Sequence, residues 1–249
     1  MIKAIFFDID GTLLDHNNHV MPSSTFIALK KLKELGIKLF IATGRPPSKL
    51  DIIKQYFKFD GYLTSNGQYC FNNDKVIHEE YIDEQDIKSI LPYINENHIP
   101  VIFAKVDQNY LNPYLDKVSQ TDKYLISEDI LTNDIVQLMV YIGEEKDHEF
   151  LSYMPHCKSA RWTSSFADII PLDGGKNIGI DQIIKYYQIE LDEVMAFGDG
   201  NNDIDMLRHV GTGIAMGNAN NKVKAASDYI TSDVNDDGIY NALKKFGLI

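Results

Sequence analysis

Two aspartates near the N-terminus stand where a predicted buried strand comes to an end. The segment KAIFFDIDGTLLD, residues 3–15, runs through consecutive apolar positions directly into Asp8 and Asp10. Gly11 and Thr12 follow at once. A near-continuous apolar run is typical of a strand in the middle of a parallel sheet. Two carboxylates two residues apart at the end of such a strand are candidates for chemistry.

Further acids follow a second predicted core strand far along the chain. Asp199 and Asp203 lie in FGDGNNDIDML, and Lys176 lies in PLDGGKNIGI just before a predicted helix. Strand ends in a parallel sheet lie side by side, so these residues can converge although the chain separates them widely. A single loop aspartate is more often a helix cap. Helix capping does not explain why all of these charged residues lie at the ends of predicted strands.

The charges of this set indicate what the site could hold. At an effective dielectric near 20, each close pair of carboxylates costs roughly 4 kcal/mol at about 4 Å. The cluster therefore needs a cation. Ligands that are all oxygen favour Mg²⁺ over zinc, for which the sequence offers no suitable His or Cys set. Together with Lys176, Mg²⁺ would let an anionic carboxylate approach a phosphate dianion.

The elements that must position these residues are predicted from apolar patterning. Residues 2–7 form a buried strand and 37–42 a second one, and the segment PSSTFIALKKLKELG between them forms a helix that Ser23 or Ser24 caps and Gly36 ends. This is a βαβ unit, so the sheet is predicted to be parallel, with candidate sites in the loops after its strands. The second strand ends on Thr43, Gly44 and Arg45.

The C-terminal third repeats this alternation, whereas the middle of the chain does not. Helices are predicted at 177–187, 202–210, 220–226 and 239–246, and strands at 194–198, 212–216 and 228–231. The middle has predicted strands at 100–106, 134–142, 159–163 and 167–172, with helices near 84–95 and 146–154. We therefore expect a doubly wound α/β core from 1–81 and 172–249, with an α+β insert at 82–171 that has a largely antiparallel sheet.

Composition limits the partners and the compartment. The chain has 249 residues, is 44% hydrophobic and has a formal net charge of −12, which argues against nucleic acid or an anionic membrane as the main partner. Two cysteines are too few for a disulfide framework. No secretory segment or long apolar span is evident, so we expect a cytoplasmic protein. The oligomeric state cannot be predicted from these features.

Four motifs, in this order, carry a family resemblance: DIDGTLLD, IATGRP, DGGKNIGI and GDGNNDIDML. They resemble the motif set of the haloacid dehalogenase-like superfamily. The insert between the second and third motifs resembles, in position and size, the cap of the Cof-type, type IIB phosphatases. The resemblance implies a Rossmann-like α/β core with an inserted cap domain that determines substrate specificity.

The resemblance also implies roles for the two aspartates and for a metal. Asp8 would be the nucleophile that takes the phosphoryl group as an aspartyl-phosphate. Asp10 would be the general acid for the leaving group and then the general base for water. Mg²⁺ would bind the carboxylates of Asp8 and Asp199 and the backbone carbonyl of Asp10.

The remaining motif residues would hold the phosphoryl group or the metal ligands. Asn202 and Asp203 would hold the metal shell and the lysine in place, and Asn202 can also reach the phosphate. Arg45 has two interpretations, a substrate contact or a salt bridge at a loop end. The predicted phosphate-binding residues are Thr12, Thr43, Gly44, Arg45, Lys176 and Asn202.

The expected function is a Mg²⁺-dependent phosphatase of small phosphorylated metabolites, such as sugar phosphates. Two alternatives stay open: a phosphotransferase or mutase of the phosphomannomutase type, and a catalytically silent phosphate-binding regulatory protein. The intact Asp8, Asp10, Lys176 and Asp199 argue against the silent protein. His16 and His19 could share a metal, although a solvated loop is the simpler interpretation of their segment.

Overall fold

Two β-sheets and eight α-helices form the part of the chain that a computed structural model describes, residues 1–116, 122–125 and 134–249. The strands are β1 (Ala4–Phe7), β2 (Lys38–Ala42), β3 (Gly61–Thr64), β4 (Tyr69–Asn72), β5 (Val76–Glu79), β6 (Val101–Lys105), β7 (Asn109–Leu111), β8 (Lys123–Tyr124), β9 (Ile135–Val140), β10 (Cys157–Ala160), β11 (Ala167–Pro171), β12 (Val194–Gly198), β13 (Thr212–Ala215) and β14 (Tyr229–Ile230). The helices are α1 (Ser23–Glu34), α2 (Asp51–Lys54), α3 (Glu84–Glu96), α4 (Asp147–Leu151), α5 (Lys176–Tyr187), α6 (Ile204–His209), α7 (Asn221–Lys224) and α8 (Gly238–Lys245).

The first sheet has eight strands in the order β14-β13-β12-β1-β2-β3-β4-β5. From β14 to β3 every pair is parallel, which confirms the predicted parallel α/β core. The last two strands, β4 and β5, pair antiparallel at one edge, and this hairpin was not predicted. Crossovers of the chain put β1 in the middle, between β12 and β2.

The strand β1 is apolar throughout because both of its faces are covered. Ile5 and Phe7 pack in one apolar cluster with residues of α1 and α8, whereas Ala4 and Phe6 pack in another with residues of α5 and α6. All four side chains are wholly buried. Burying a phenylalanine contributes roughly 2–3 kcal/mol, so this strand is a firm anchor for the residue that follows it.

The second sheet has six strands in the order β10-β11-β9-β6-β7-β8, antiparallel except between β7 and β8. Its apolar face packs on α3, which Asp83 caps by accepting a hydrogen bond from the backbone N–H of Gln85. The strand predicted at 159–163 is observed as β10, two residues earlier, and Trp162 lies outside it with 53% of its surface exposed. The assignment of 82–171 to a separate domain stays a prediction.

No helix in the described ranges has the length and apolar character needed to cross a membrane.

Candidate active site

The carboxyl ends of three neighbouring parallel strands bring the predicted motifs together. Phe7, the last residue of β1, is in register with Phe197 of β12 and Ile41 of β2. The backbone N–H of Asp8 donates to the carbonyl of Phe197 at 3.0 Å, which extends the pairing by one residue. Asp8, Thr43 and the acids after β12 therefore lie at one edge of the sheet, as the βαβ pattern predicted.

Lys176 joins the first motif to the last. It is the first residue of α5, its side chain is wholly buried, and Nζ donates to Asp8 Oδ1 at 2.7 Å and to Asp203 Oδ1 at 2.5 Å. Burial lowers the pKa of Lys176, but attraction to Asp203 and Asp8 outweighs this effect, so the pKa lies above its usual range. The ammonium therefore remains charged beside the two carboxylates.

Asp203 accepts hydrogen bonds from Lys176 and from the backbone that follows β12. Its second oxygen, Oδ2, accepts hydrogen bonds from the backbone N–H groups of Asp199 at 3.0 Å and Gly200 at 2.9 Å. With Lys176 on the first oxygen, both oxygens of this fully buried carboxylate are occupied. These contacts suit the predicted supporting role better than direct metal binding.

Asp199 lies under the turn that follows β1. Its Oδ1 accepts from the hydroxyl of Thr12 at 2.8 Å, and its Oδ2 lies 3.3 Å from the amide nitrogen of Asn218. Gly11 has φ +85°, and a Cβ at this position would lie only 2.2 Å from Asp199 Oδ2. Only glycine allows the turn to come this close to the acid.

The loop after this turn also reaches the site, which the sequence analysis missed. His16 Nε2 lies 3.1 Å from Asp199 Oδ2, and His19 Nδ1 lies 3.5 Å from Asp10 Oδ1. The hydrogen bond to Asp199 raises the pKa of His16, although partial burial opposes it. Both side chains are about half exposed, as expected for a solvated loop. Their contacts with Asp199 and Asp10 were not expected.

The buried acids concentrate negative charge that would attract a hard cation, with Asp8 and Asp199 as the candidate ligands. One oxygen each of Asp8, Asp199 and Asp203 lie within 4.8 Å of one another, and all three residues are buried. Burial raises the pKa of Asp8 well above its usual value; Lys176 lowers it and the neighbouring acids raise it further. Burial also raises the pKa of Asp199. A cation among these oxygens would relieve both effects.

Asp10 is not one of these three acids, and its side chain pairs with Arg45. The guanidinium Nε donates to Asp10 Oδ2 at 2.7 Å and Nη2 donates to Oδ1 at 2.8 Å, a two-pronged ion pair. Each side chain is 30% exposed, so a substrate can still reach the pair. Of the two interpretations of Arg45, the structure places it in a salt bridge, and phosphate binding by Arg45 stays a prediction.

The predicted phosphate loop after β2 is supported by a neighbouring turn. The backbone N–H of Asn66 donates to the carbonyl of Thr43 at 3.0 Å, and that of Ser65 donates to the carbonyl of Arg45 at 2.9 Å. The amide nitrogen of Asn202 donates to Asn66 Oδ1 at 3.0 Å. Asn66 was not predicted as a site residue, because its only local signal is an Asn-Gly turn pair.

A cleft of about 330 Å³ adjoins this site and lies between the two sheets. From the first sheet and its helices it is lined by Asn66, Lys176 and Asn202. From the second sheet it is lined by Lys158 and Ile170, among others. Its lining includes Lys176 but not Asp8, so the cleft meets the site at the lysine.

Comparison with known proteins identifies relatives along the whole chain. The model of the haloacid dehalogenase-like hydrolases matches residues 5–243. A Bacillus subtilis protein named "Putative phosphatase YkrA" is 33% identical, covering 99% of this chain and 98% of that one. The phosphoglycolate phosphatase of Methanobrevibacter smithii is 27% identical and covers 99% of each chain.

Solved structures agree in fold over the full length. The HAD subclass IIB sugar phosphatase BT4131 superposes with a TM-score of 0.93 and 38% identity, covering 99% of this chain and all of that one. BT1666 from Bacteroides thetaiotaomicron, a phosphatase of the same superfamily, superposes with a TM-score of 0.91 and 34% identity, covering 100% and 96%. The similarity includes both sheets.

Proposed function

This chain belongs to the haloacid dehalogenase-like hydrolases, subclass IIB. We propose that it is a Mg²⁺-dependent phosphatase of small phosphorylated metabolites and that the reaction passes through an aspartyl-phosphate on Asp8. That it is a phosphatase follows from its family and its relatives. The observation that best supports the proposed mechanism is the position of Asp8, anchored after β1 and contacted by the ammonium of Lys176 at 2.7 Å.

Asp8 is suited to attack phosphorus directly. With the ammonium of Lys176 and a bound cation beside it, Asp8 would be ionised, and an ionised carboxylate needs no separate base, unlike a serine hydroxyl. Asp8 Oδ1 accepts from Lys176, while no donor in the described parts of the chain lies on Oδ2. In the proposed step a carboxylate oxygen of Asp8 forms a bond to phosphorus, and the bond from phosphorus to the ester oxygen breaks.

Asp10 would move the proton in both halves of the reaction. It would give a proton to the departing alkoxide, and then take one from the water that attacks the aspartyl-phosphate. That attack breaks the bond between phosphorus and Asp8, so that inorganic phosphate leaves and the carboxylate is regenerated. Arg45 contacts both oxygens of Asp10 and orients this carboxyl group, and the proton would occupy an oxygen lone pair that the guanidinium leaves free.

The phosphoryl oxygens would be bound by groups that surround Asp8. Lys176 supplies a fixed positive charge, and Thr43 and Gly44 supply the loop after β2. Thr12, Arg45 and Asn202 complete the proposed set. Preorganised donors of this kind stabilise the charge on a transferring phosphoryl group.

A cation would be held by the carboxylates of Asp8 and Asp199 and by the backbone carbonyl of Asp10. When bound, Mg²⁺ would offset the repulsion between the Asp8 carboxylate and a phosphate dianion. Residues 82–171 would form the cap, which holds the rest of the substrate across the cleft and excludes water.

A screen of phosphorylated metabolites tests this proposal. The purified protein is incubated with phosphomonoesters, including sugar phosphates, and free phosphate is measured with Mg²⁺ and with EDTA. We expect phosphate release with Mg²⁺, loss in EDTA, and none from Asp8→Asn. Isomerisation of a hexose phosphate without free phosphate would instead identify a mutase, and no turnover of any ester would indicate a silent protein.

A further inference from the structure

Three buried polar side chains join the two sheets beside the proposed phosphate loop. Asn66 Nδ2 donates to Asp168 Oδ2 at 2.8 Å and lies 3.4 Å from Gln137 Oε1. Gln137 Nε2 donates to the carbonyl of Gly44 at 3.0 Å. Asn66 belongs to the turn after β3, whereas Gln137 and Asp168 lie on β9 and β11 of the second sheet. We call Asn66, Gln137 and Asp168 the Asn66 junction.

Burial makes the hydrogen bonds of this junction important. Asn66, Gln137 and Asp168 are 1%, 0% and 3% exposed. A polar group that loses its partner at such a site has no water to replace it, so each contact constrains its neighbours. The strand register explains the arrangement, because residues 137 and 168 lie on the face of the second sheet opposite to its apolar cluster.

Asn66 itself needs both ends of its carboxamide. The nitrogen donates to the second sheet, and the oxygen accepts from Asn202 at 3.0 Å. Its backbone is left-handed, with φ 54° and ψ 33°, next to Ser65 at φ 49° and Gly67 at φ 101°. Residues other than glycine adopt a left-handed backbone at an energetic cost, and such a backbone persists only where the surroundings fix it.

We propose that Asn66 is a positioning residue of the phosphatase site. Asp168 and Gln137 fix its carboxamide, and this in turn fixes the carboxamide of Asn202 and the backbone loop at Thr43. The second sheet then influences the phosphate ligands without contacting the phosphate. The inference rests on the proposed function, since it assumes that Asn202 and this loop bind the phosphoryl group.

A purely structural role is the competing explanation, and it makes a different prediction. If the junction only holds the two sheets together, its loss lowers the melting temperature and leaves kcat of the folded enzyme unchanged. If it positions ligands of the transition state, its loss lowers kcat more than it changes KM.

A polarity swap across the junction separates these explanations. Asn66→Asp removes the donor and sets a carboxylate against that of Asp168, whereas Asp168→Asn keeps an acceptor for Asn66. In the double variant the amide at 168 donates to the carboxylate at 66, which restores a hydrogen bond in the opposite direction. Phosphate release and thermal unfolding are measured for all three at pH 8, above the pKa of about 7 that burial gives Asp168, so that this side chain is ionised.

The expected pattern is loss and recovery of kcat. Because a hydrogen bond to a charged group is worth about 1.5–3 kcal/mol, Asn66→Asp should lower kcat by about ten- to hundred-fold, with KM changed less than about threefold. Asp168→Asn should lower kcat by less than about threefold, and kcat of the double variant should be at least about fivefold higher than that of Asn66→Asp.

Asn66→Gly is a second test of the loss of the carboxamide if Asn66→Asp does not fold. Glycine accepts a left-handed backbone without strain, and kcat of this variant should also fall.

Asn72 offers a matched control. It is 8% exposed, lies on β4 away from the site, and its amide nitrogen donates to the hydroxyl of Tyr187 at 3.1 Å. Asn72→Asp makes the same chemical change, and we expect wild-type kcat from the folded protein.

Binding of inorganic phosphate, measured by calorimetry in Mg²⁺, keeps the two proposals distinguishable. A wild-type protein that releases no phosphate from any ester would refute the proposed function, and the same swap would then be followed in phosphate affinity. Wild-type kcat and phosphate affinity in Asn66→Asp or Asn66→Gly would overturn the positioning role, and so would a double variant with no recovery.

Discussion

Asp168→Asn should change how stability depends on pH, and the size of the change follows from burial. Asp168 is 3% exposed. Burial raises the pKa of Asp168 from 3.8 to about 7, although the hydrogen bond from Asn66 and the charge of Lys176 both lower it. The folded protein therefore holds a proton on this carboxyl that the unfolded chain releases above about pH 4.

The sign follows from this difference in proton binding. Below pH 4 both states are protonated and the group contributes nothing. As pH rises from 4 to 7 only the unfolded chain ionises, so the wild type loses stability relative to Asp168→Asn. The shift of about three pH units corresponds to about 4 kcal/mol over the whole window and about 3 kcal/mol between pH 5 and 8.

Thermal unfolding of both proteins at pH 5 and pH 8 is the assay. At about 2–4 °C per kcal/mol for a chain of this length, the difference in melting temperature should move by about 5–10 °C in favour of Asp168→Asn at pH 8. Asp236→Asn makes the same change at an exposed carboxylate and should show no such movement. A difference that is equal at both pH values would refute the conclusion that Asp168 carries a raised pKa.

Two further predictions concern Asp8 and the ion pair between Arg45 and Asp10. Asp8→Asn should abolish phosphate release. Its melting temperature in EDTA should equal or exceed that of the wild type, because burial and neighbouring acids disfavour the charged Asp8 carboxylate. A large drop in melting temperature would show that the contact with Lys176 dominates. Arg45→Lys cannot contact both oxygens of Asp10, so kcat/KM should fall by about ten- to hundred-fold in steady-state assays, whereas wild-type values would exclude a role for the two-pronged pair.

The central strands and the convergence of the motifs were predictable for a physical reason. β1, β2 and β12 are covered on both faces, so their sequences are continuously apolar and stand out. A parallel sheet then places the residues after these strands side by side, which is why Asp8, Thr43 and Asp199 could be grouped from sequence alone.

The edge hairpin and the Asn66 junction had no comparable local signal. β4 and β5 are short, and their burial is mixed, so neither gives a clear apolar pattern. The contacts of Asn66 come from residues 71, 102 and 136 positions away, on three different elements. Contacts of this kind depend on how the two sheets meet, which no short stretch of sequence encodes.

Trapping the covalent intermediate is the most direct test of Asp8 as the nucleophile. Asp10→Asn lacks the proposed base for hydrolysis, and p-nitrophenyl phosphate has a leaving group that needs little proton donation, so a phosphoenzyme should accumulate. The reaction is quenched in acid, and the phosphorylated peptide is located by mass spectrometry, with and without hydroxylamine. We predict a hydroxylamine-sensitive phosphoryl group on Asp8. A phosphoryl group on any other residue, or ester turnover by the wild type with no phosphoenzyme in either protein at any time, would contradict this account.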